Sequence, residues 1–286
     1  MNINENNQFM SRQGSLMKKL LRFIFTGVFF IFSVFSSTNA KAFDFSDWDI
    51  ILKKYVQADL VDGVSLNTVA YEKLMRDPIF NRLKNNLELF SLSRLTTNEE
   101  KLAFWINVYN IFAVKVVTDN YPLKSIKDVG GLLKSVWKVK AGTVDSRQYT
   151  LDEIEHGILR KMGEPRIHIA IVCASISCPD LSIDAYIPER LNEQLDIQMR
   201  KFLGNPGKGM RRDADGKKIF LSPIFAWFSE DFESRGGVRK FIQPYVLKEA
   251  MRALKNPNLK IYNMKYNWRL NDNLFRANDP KNSLLP

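Results

Sequence analysis

Cysteine and histidine are scarce in this chain and crowded into one place. Its two cysteines, Cys173 and Cys178, and its two histidines, His156 and His168, all fall between residues 156 and 178 of 286. A thiolate serves as the nucleophile in acyl transfer when an imidazole can take its proton and a third group orients that imidazole. The stretch "RIHIAIVCASISCPD", with Glu155 and His156 just upstream, supplies every part: Cys173 or Cys178, His168 or His156, and Glu155. The same residue types allow two other readings. The cysteines can pair as a disulfide if the chain turns between them, which an oxidising compartment favours. His156, His168, Cys173 and Cys178 are also zinc-type ligands, although at a spacing without CxxC or HExxH.

Two elements must position these groups. Thr150 and Glu153 form a capping box that opens a helix over "LDEIEHGILRKMG", closed by Gly163 before Pro165. Leu151, Ile154, Ile158 and Met162 make its apolar stripe, with Glu155 at the edge, His156 further round and Arg160 on the far face. A carboxylate so placed needs a partner, and His168, His156 and Arg166 are the candidates. The β-branched run from Arg166 to Cys173 reads as a buried strand. Strand alternation sets His168 on the face opposite Cys173 and favours His156 as the thiol's partner. Ala174, Ser175 and Ser177 then allow a tight turn whose free amides could hold an oxyanion.

Helical spacing recurs from Phe45 to Tyr55 and from Tyr71 to Leu92. Thr97 and Glu100 cap a long buried helix that carries Asn107 and Asn110 among large apolar residues, either to bond neighbouring loops or to orient a site. "VWKVKAGTVDSRQYTL" alternates like a hairpin. Pro188 to Leu203 reads as a helix, Gly204 to Lys218 as a loop and Ile219 to Leu221 as a short strand. "SEDFESRGGVRKFIQPYV" reads as a turn and helix, "LKIYNMKYNWRLN" as a late strand, and the tail from Asp272 as loose. The sum is one α+β domain over 43–286, a helix-rich N-terminal part packed on a small, mainly antiparallel sheet.

Arg12, Lys18, Lys19 and Arg22 precede or enter the apolar run "LLRFIFTGVFFIFSVF", and Ala40-Lys41-Ala42 fits a cleavage site, so residues 1–42 read as a secretory signal peptide. An uncleaved membrane anchor is the alternative. The protein is then exported, periplasmic or extracellular. Removing residues 1–42 takes away five basic residues and one acidic one and lowers the formal charge from +11 to +7. A positive charge of this size serves solubility in the first place, and the alternative is attraction to an anionic membrane surface or envelope polymer. Nucleic acid is not an expected partner, because no binding motif accompanies the charge. No cofactor or metal is called for, and the substrate class is peptide-like or from the cell envelope. Oligomeric state is not written in these features.

The segments "LAFWINVYNIFAV", "YTLDEIEHGILR", "RIHIAIVCASISCPDL", "FLSPIFAWFSEDF" and "IYNMKYNWRLN" resemble, in order, the family called domain of unknown function 547, over about Lys101 to Asn271. The resemblance implies a cysteine-peptidase-like set, similar in ingredients to papain or transglutaminase-like folds, carried here by Glu155, His156, His168 and Cys173. It places His168 slightly ahead of His156, and makes Cys178 the more replaceable thiol. An Asp usual before Trp-x-Leu-Asn is Asn267 here. The expectation is an exported cysteine-dependent hydrolase or acyl transferase acting on amide or thioester bonds. The alternative is a non-catalytic envelope binding module with structural cysteines.

Overall fold

The protein is described by a computed structural model over residues 42–131 and 135–275. Of the expected leader, all but Ala42 lies outside the described residues, as does the tail beyond Phe275. The chain opens with helix α1 (Ser46–Tyr55) and an antiparallel hairpin, β1 (Val56–Val61) and β2 (Val64–Val69), paired Val56 to Val69. The hairpin is absent from the helical reading of this region. Asp62 and Gly63 close it with positive φ, so its turn signal was present in "VDGV". One turn, α2 (Tyr71–Leu74), then leads to α3 (Pro78–Leu89), whose N-cap Asp77 accepts from the Ile79 N–H.

Helix α4 (Asn98–Asp119) is the centre of the fold. Its Thr97–Glu100 capping box forms as expected, and from Ala103 to Val114 every side chain is buried. A helix apolar all round must be covered all round. The hairpin β3 (Lys140–Val144) and β4 (Arg147–Thr150) lies against it so closely that a Cβ at Gly142 would sit 2.2 Å from the Phe112 ring. Helix α5 begins at Leu151–Ile154 on the expected Thr150–Glu153 capping box, continues through a π turn, Glu155–Leu159, and ends in a 3₁₀ turn, Arg160–Met162, before left-handed Gly163.

The strand expected from Arg166 to Cys173 does not exist. Ile167–Ala170 is one helical turn, α6, and extended backbone resumes only at Ile171. Four consecutive buried residues look alike in a strand and in a helical turn enclosed on every side, so the apolar run could not separate them. The enclosure is visible: Ile167 and Ala170 belong to the main core, whereas Ile169 belongs to a second one with Met199, Phe202, Ile219, Leu221 and Phe232. His168 is carried at the junction of the two.

Helix α7 (Leu191–Leu203) follows a 3₁₀ turn at Pro188–Arg190. The second core lies under a three-stranded sheet, β5 (Met210–Arg212), β6 (Lys218–Leu221) and β7 (Lys260–Asn263), with β5–β6 antiparallel and β6–β7 parallel. Strand β5 falls where only a loop was expected. Between β6 and β7 run α8 (Ile224–Trp227), a 3₁₀ stretch Ser229–Arg235, α9 (Gly237–Phe241) and α10 (Lys248–Lys255). The class is α+β, with three small sheets in place of one. Among the described residues no helix is long and apolar enough to cross a membrane. Asp272 is buried and bridged to Val69, so the chain is not loose at Asp272 as expected.

Candidate active site

A cleft of about 180 Å³ is lined by Glu155, His156, His168, Cys173 and Cys178 together, with Tyr109, Trp137, Trp227, Phe228, Tyr266 and Trp268 among its walls. All five residues singled out from the sequence therefore reach one place. Their roles differ from those expected.

His168 is 3% exposed, and its ring stacks on Phe228 at 3.9 Å between centroids, 12° from parallel. Its Nε2 lies 2.7 Å from Asp231 Oδ2. A carboxylate can only accept, so Nε2 carries the proton and Nδ1 the lone pair. Arg160 also grips Asp231, with Nε on the same Oδ2 at 2.7 Å and Nη2 on Oδ1 at 2.8 Å. The residue that orients the imidazole is thus Asp231, not Glu155. Asp231 was passed over although it stands in the quoted segment "FLSPIFAWFSEDF"; Glu230 and Asp231 sit side by side there, and only the folded chain selects one.

Nδ1 of His168 is buried without a hydrogen-bond partner. The nearest carboxylate oxygen, Glu155 Oε1, is 4.0 Å away. Glu155 accepts instead from the Tyr109 hydroxyl at 3.1 Å. The expected Arg166 partnership is wrong: Arg166 forks onto Glu164 at 2.7 Å and reaches Asp196 at 2.6 Å. The π turn starts at Glu155, which brings this carboxyl inward from the stripe edge where regular helical phase had left it. His156 stays on the rim, with its side chain 43% exposed, its Nδ1 3.1 Å from Arg160 and its Nε2 3.8 Å from Asp152. The alternation that favoured His156 over His168 fell with the strand.

Burial raises Glu155 to about 7, against the Tyr109 hydrogen bond and the Arg160 charge. Burial likewise lowers His168 to about 4, against the pull of Asp231. Between about pH 4.5 and 6.5 the folded pair therefore keeps its single proton on Glu155, whereas an unfolded chain keeps it on His168. The signs oppose. The raised carboxyl favours folding fully below 4.5, and that contribution is lost as pH climbs through 7. The lowered imidazole favours folding increasingly as pH climbs from 4 to 6.5. In the shared window the two slopes cancel. Glu155→Gln removes the first and leaves the second, so its stability should rise by up to about 3 kcal/mol between pH 4 and 6.5. Urea unfolding of both proteins across that range checks this; parallel profiles would show that Glu155 is not raised as its burial requires, and a flat profile in the variant would show that His168 does not titrate as its burial requires.

Cys173 is partly exposed and Cys178 is buried, and both are free thiols, so the disulfide alternative does not describe this structure. The Cys173 Sγ lies 3.1 Å from the Ser175 Oγ and 3.1 Å from the Tyr266 hydroxyl. Burial on its own would raise this thiol, but hydrogen bonds from Cys178, Ser175 and Tyr266 together hold it below the ordinary cysteine range. Burial pushes Cys178 well up. Ala174 between them takes a left-handed φ of 56°, a conformation that non-glycine residues adopt rarely and at a cost.

Several amides about the turn are engaged, including that of Ser177. Cys173 N–H donates to Cys178 Sγ at 2.8 Å, Ile176 N–H to the Arg269 carbonyl, Ser177 N–H to that of Asn267, and Cys178 N–H to that of Ser175. The segment "NWRLN" is therefore a splint for the cysteine turn rather than a strand. Asn267 caps this splint with its side-chain oxygen on the Arg269 N–H at 3.0 Å, a task that Asp and Asn perform alike. The buried Asn110 holds the other end: its amide donates to the Ala170 carbonyl at 3.0 Å, and its oxygen accepts from Val172 N–H at 3.0 Å. Asn107 does the same for both backbone groups of Tyr186. Of the two roles foreseen for these asparagines, both fill the bonding one: each holds the main chain of a neighbouring segment. Among the described residues no group of His, Cys, Asp and Glu is arranged to hold a metal ion, and the zinc alternative has no geometry behind it.

No curated protein and no solved structure gives a significant match to this chain. Residues 92–203 match a family model described as "Protein of unknown function, DUF547". The match takes in α4, α5, α6, both cysteines and both histidines, and stops short of Asp231 and Tyr266. The capping boxes, the asparagine clamp and the cysteine turn all lie inside that span, so over residues 92–203 the chain is similar to the DUF547 family.

Proposed function

We propose that the protein is an exported cysteine-dependent hydrolase or acyl transferase acting on amide or thioester bonds. The observation that carries this reading is His168: a buried neutral imidazole fixed through Nε2 by Asp231, with Nδ1 unpaired in a cleft that also holds the Cys173 thiol. In this reading Cys173 attacks the carbonyl carbon. Nδ1 of His168 receives the thiol proton and returns it to the leaving amine or thiol. The Tyr266 hydroxyl, which burial keeps protonated, is the O–H donor already at the sulfur and serves the developing oxyanion. Glu155, half protonated near pH 7, is the proton reserve behind Nδ1. Export rests on the charged start and apolar run before Ala42.

An activated thioester offered to the reduced protein should leave its acyl group on Cys173, detectable by intact mass and peptide mapping. Cys173→Ala should lose that adduct. Failure of the parent protein to acylate or to react with iodoacetamide would turn the reading to a binding module. The hydroxyl at the sulfur gives a second expected result. Hydrogen bonds to a charged group contribute about 1.5–3 kcal/mol, so Tyr266→Phe should raise the midpoint of the Cys173 alkylation profile by about one to two pH units. An unmoved midpoint would show that the Tyr266 hydroxyl does not stabilise the thiolate.

A further inference from the structure

We propose that Cys173 and Cys178 form a peroxide-modification site, in which Cys173 is oxidised first and Cys178 resolves it as an intramolecular disulfide. The proposal rests on the reading of Cys173 as a reactive thiolate and adds a role for the second cysteine, which acyl transfer leaves without one. Its basis is geometric. The Cys178 sulfur is held against the backbone of Cys173 by the 2.8 Å bond from the Cys173 N–H. The turn that brings them together is set by left-handed Ala174 and the Cys178 N–H to Ser175 carbonyl bond, and is splinted by Arg269 and Asn267. A buried cysteine that only filled space would not need its sulfur on the backbone of a second one. The chemistry is divided unequally as well. Cys173 is partly exposed to the cleft and surrounded by donors, whereas Cys178 is buried and kept protonated. Attack on a peroxide needs the first environment, and waiting to resolve needs the second.

The steps balance with hydrogen peroxide as oxidant. The Cys173 thiolate attacks one peroxide oxygen, the O–O bond breaks, and the departing hydroxide takes up the proton released when the thiol ionised. The sulfur, now a sulfenic acid, has given up two electrons. The Cys178 sulfur attacks it, the S–O bond breaks, and the second water leaves with the Cys178 proton. Two thiols and one peroxide become one disulfide and two waters. The disulfide occupies the nucleophile and blocks acyl transfer until a thiol reductant reopens it.

The test uses the reduced protein, hydrogen peroxide in a few-fold excess at neutral pH, intact mass and peptide mapping. The expected result is loss of the mass of two hydrogens, a mapped Cys173–Cys178 link, full reversal by dithiothreitol, and no iodoacetamide uptake until then. Cys178→Ala should instead gain two oxygens at Cys173, beyond the reach of dithiothreitol. A parent protein that gains two oxygens at Cys173 with no linked stage would overturn the proposal and leave the acyl-transfer reading standing. If Cys173 in the parent protein ignores both iodoacetamide and peroxide, the acyl-transfer reading fails, and this proposal with it. The parent protein decides each case alone, so poor folding of the variant does not blunt the test.

Discussion

Asp231→Asn is expected to slow acylation of Cys173 by a thioester about 10²–10⁴-fold, the range seen when the orienting carboxylate of a catalytic imidazole is replaced. The reason is the tautomer. Asp231 can only accept, so Nε2 of His168 carries the proton and Nδ1 is the base. An asparagine can turn its amide toward Nε2 and donate, which moves the ring proton to Nδ1 and removes the base. The side chain keeps its size, and Arg160, on the cleft's edge with its side chain 26% exposed, keeps a partial partner, so folding should suffer far less than acylation. The two readouts separate a positioning role from a structural one. Stopped-flow acylation should fall steeply while the urea midpoint moves little. Equal acylation rates in variant and parent would remove His168 as the base.

Lys208→Met should cost about 3–5 kcal/mol of stability, the largest loss expected from any single charge in the molecule. Lys208 is 2% exposed, and its Nζ lies 2.6 Å from Asp180 Oδ1. Asp180 also accepts from Asn67 N–H at 2.7 Å, and Lys201 stands 3.6 Å off. Removing the ammonium strands a buried carboxylate with only these partial companions. Burial also lowers the Lys208 pKa, against the raising effect of Asp180. Asp180→Asn added to Lys208→Met should recover much of the loss, because the charge left unpaired is then gone. Chemical denaturation of the single and double variants measures this. A single-variant loss under about 1 kcal/mol would show that water reaches Asp180. The pair lies directly behind Cys178-Pro179, so the damage should also loosen the cysteine turn.

The contents of the site were legible in the sequence because scarce residue types can be counted: two thiols, two imidazoles and a carboxylate within one stretch. Both capping boxes and the β3–β4 hairpin were legible for a different reason, since their signals are local pairs and alternations that do not depend on distant packing. What could not be read was anything set by enclosure. α6 looked like a strand because buried β-branched residues carry no period when every side is covered. The π turn at Glu155 leaves no mark in composition, yet it decides which way that carboxyl points. Asp231 and Tyr266 stand 63 and 93 residues from the groups they touch, a pairing that only the folded chain makes.

Asn107 and Asn110 have a consequence for how the site comes to exist. Both ride on one helix, a single turn apart, and each takes hold of an irregular segment by its main chain. The stretch around Val172 and the stretch around Tyr186 have no ladder of their own to align them. They read their position from α4 as two lines of type are set against one rule. The cysteine turn's neighbourhood is then among the last parts to take shape as the chain folds, since it must wait for a finished helix to dock. It is also among the parts that open together. A fluctuation that lifts those segments from α4 frees the amides of Val172 and Tyr186 in one event, and both would trade their hydrogens with water at a common rate.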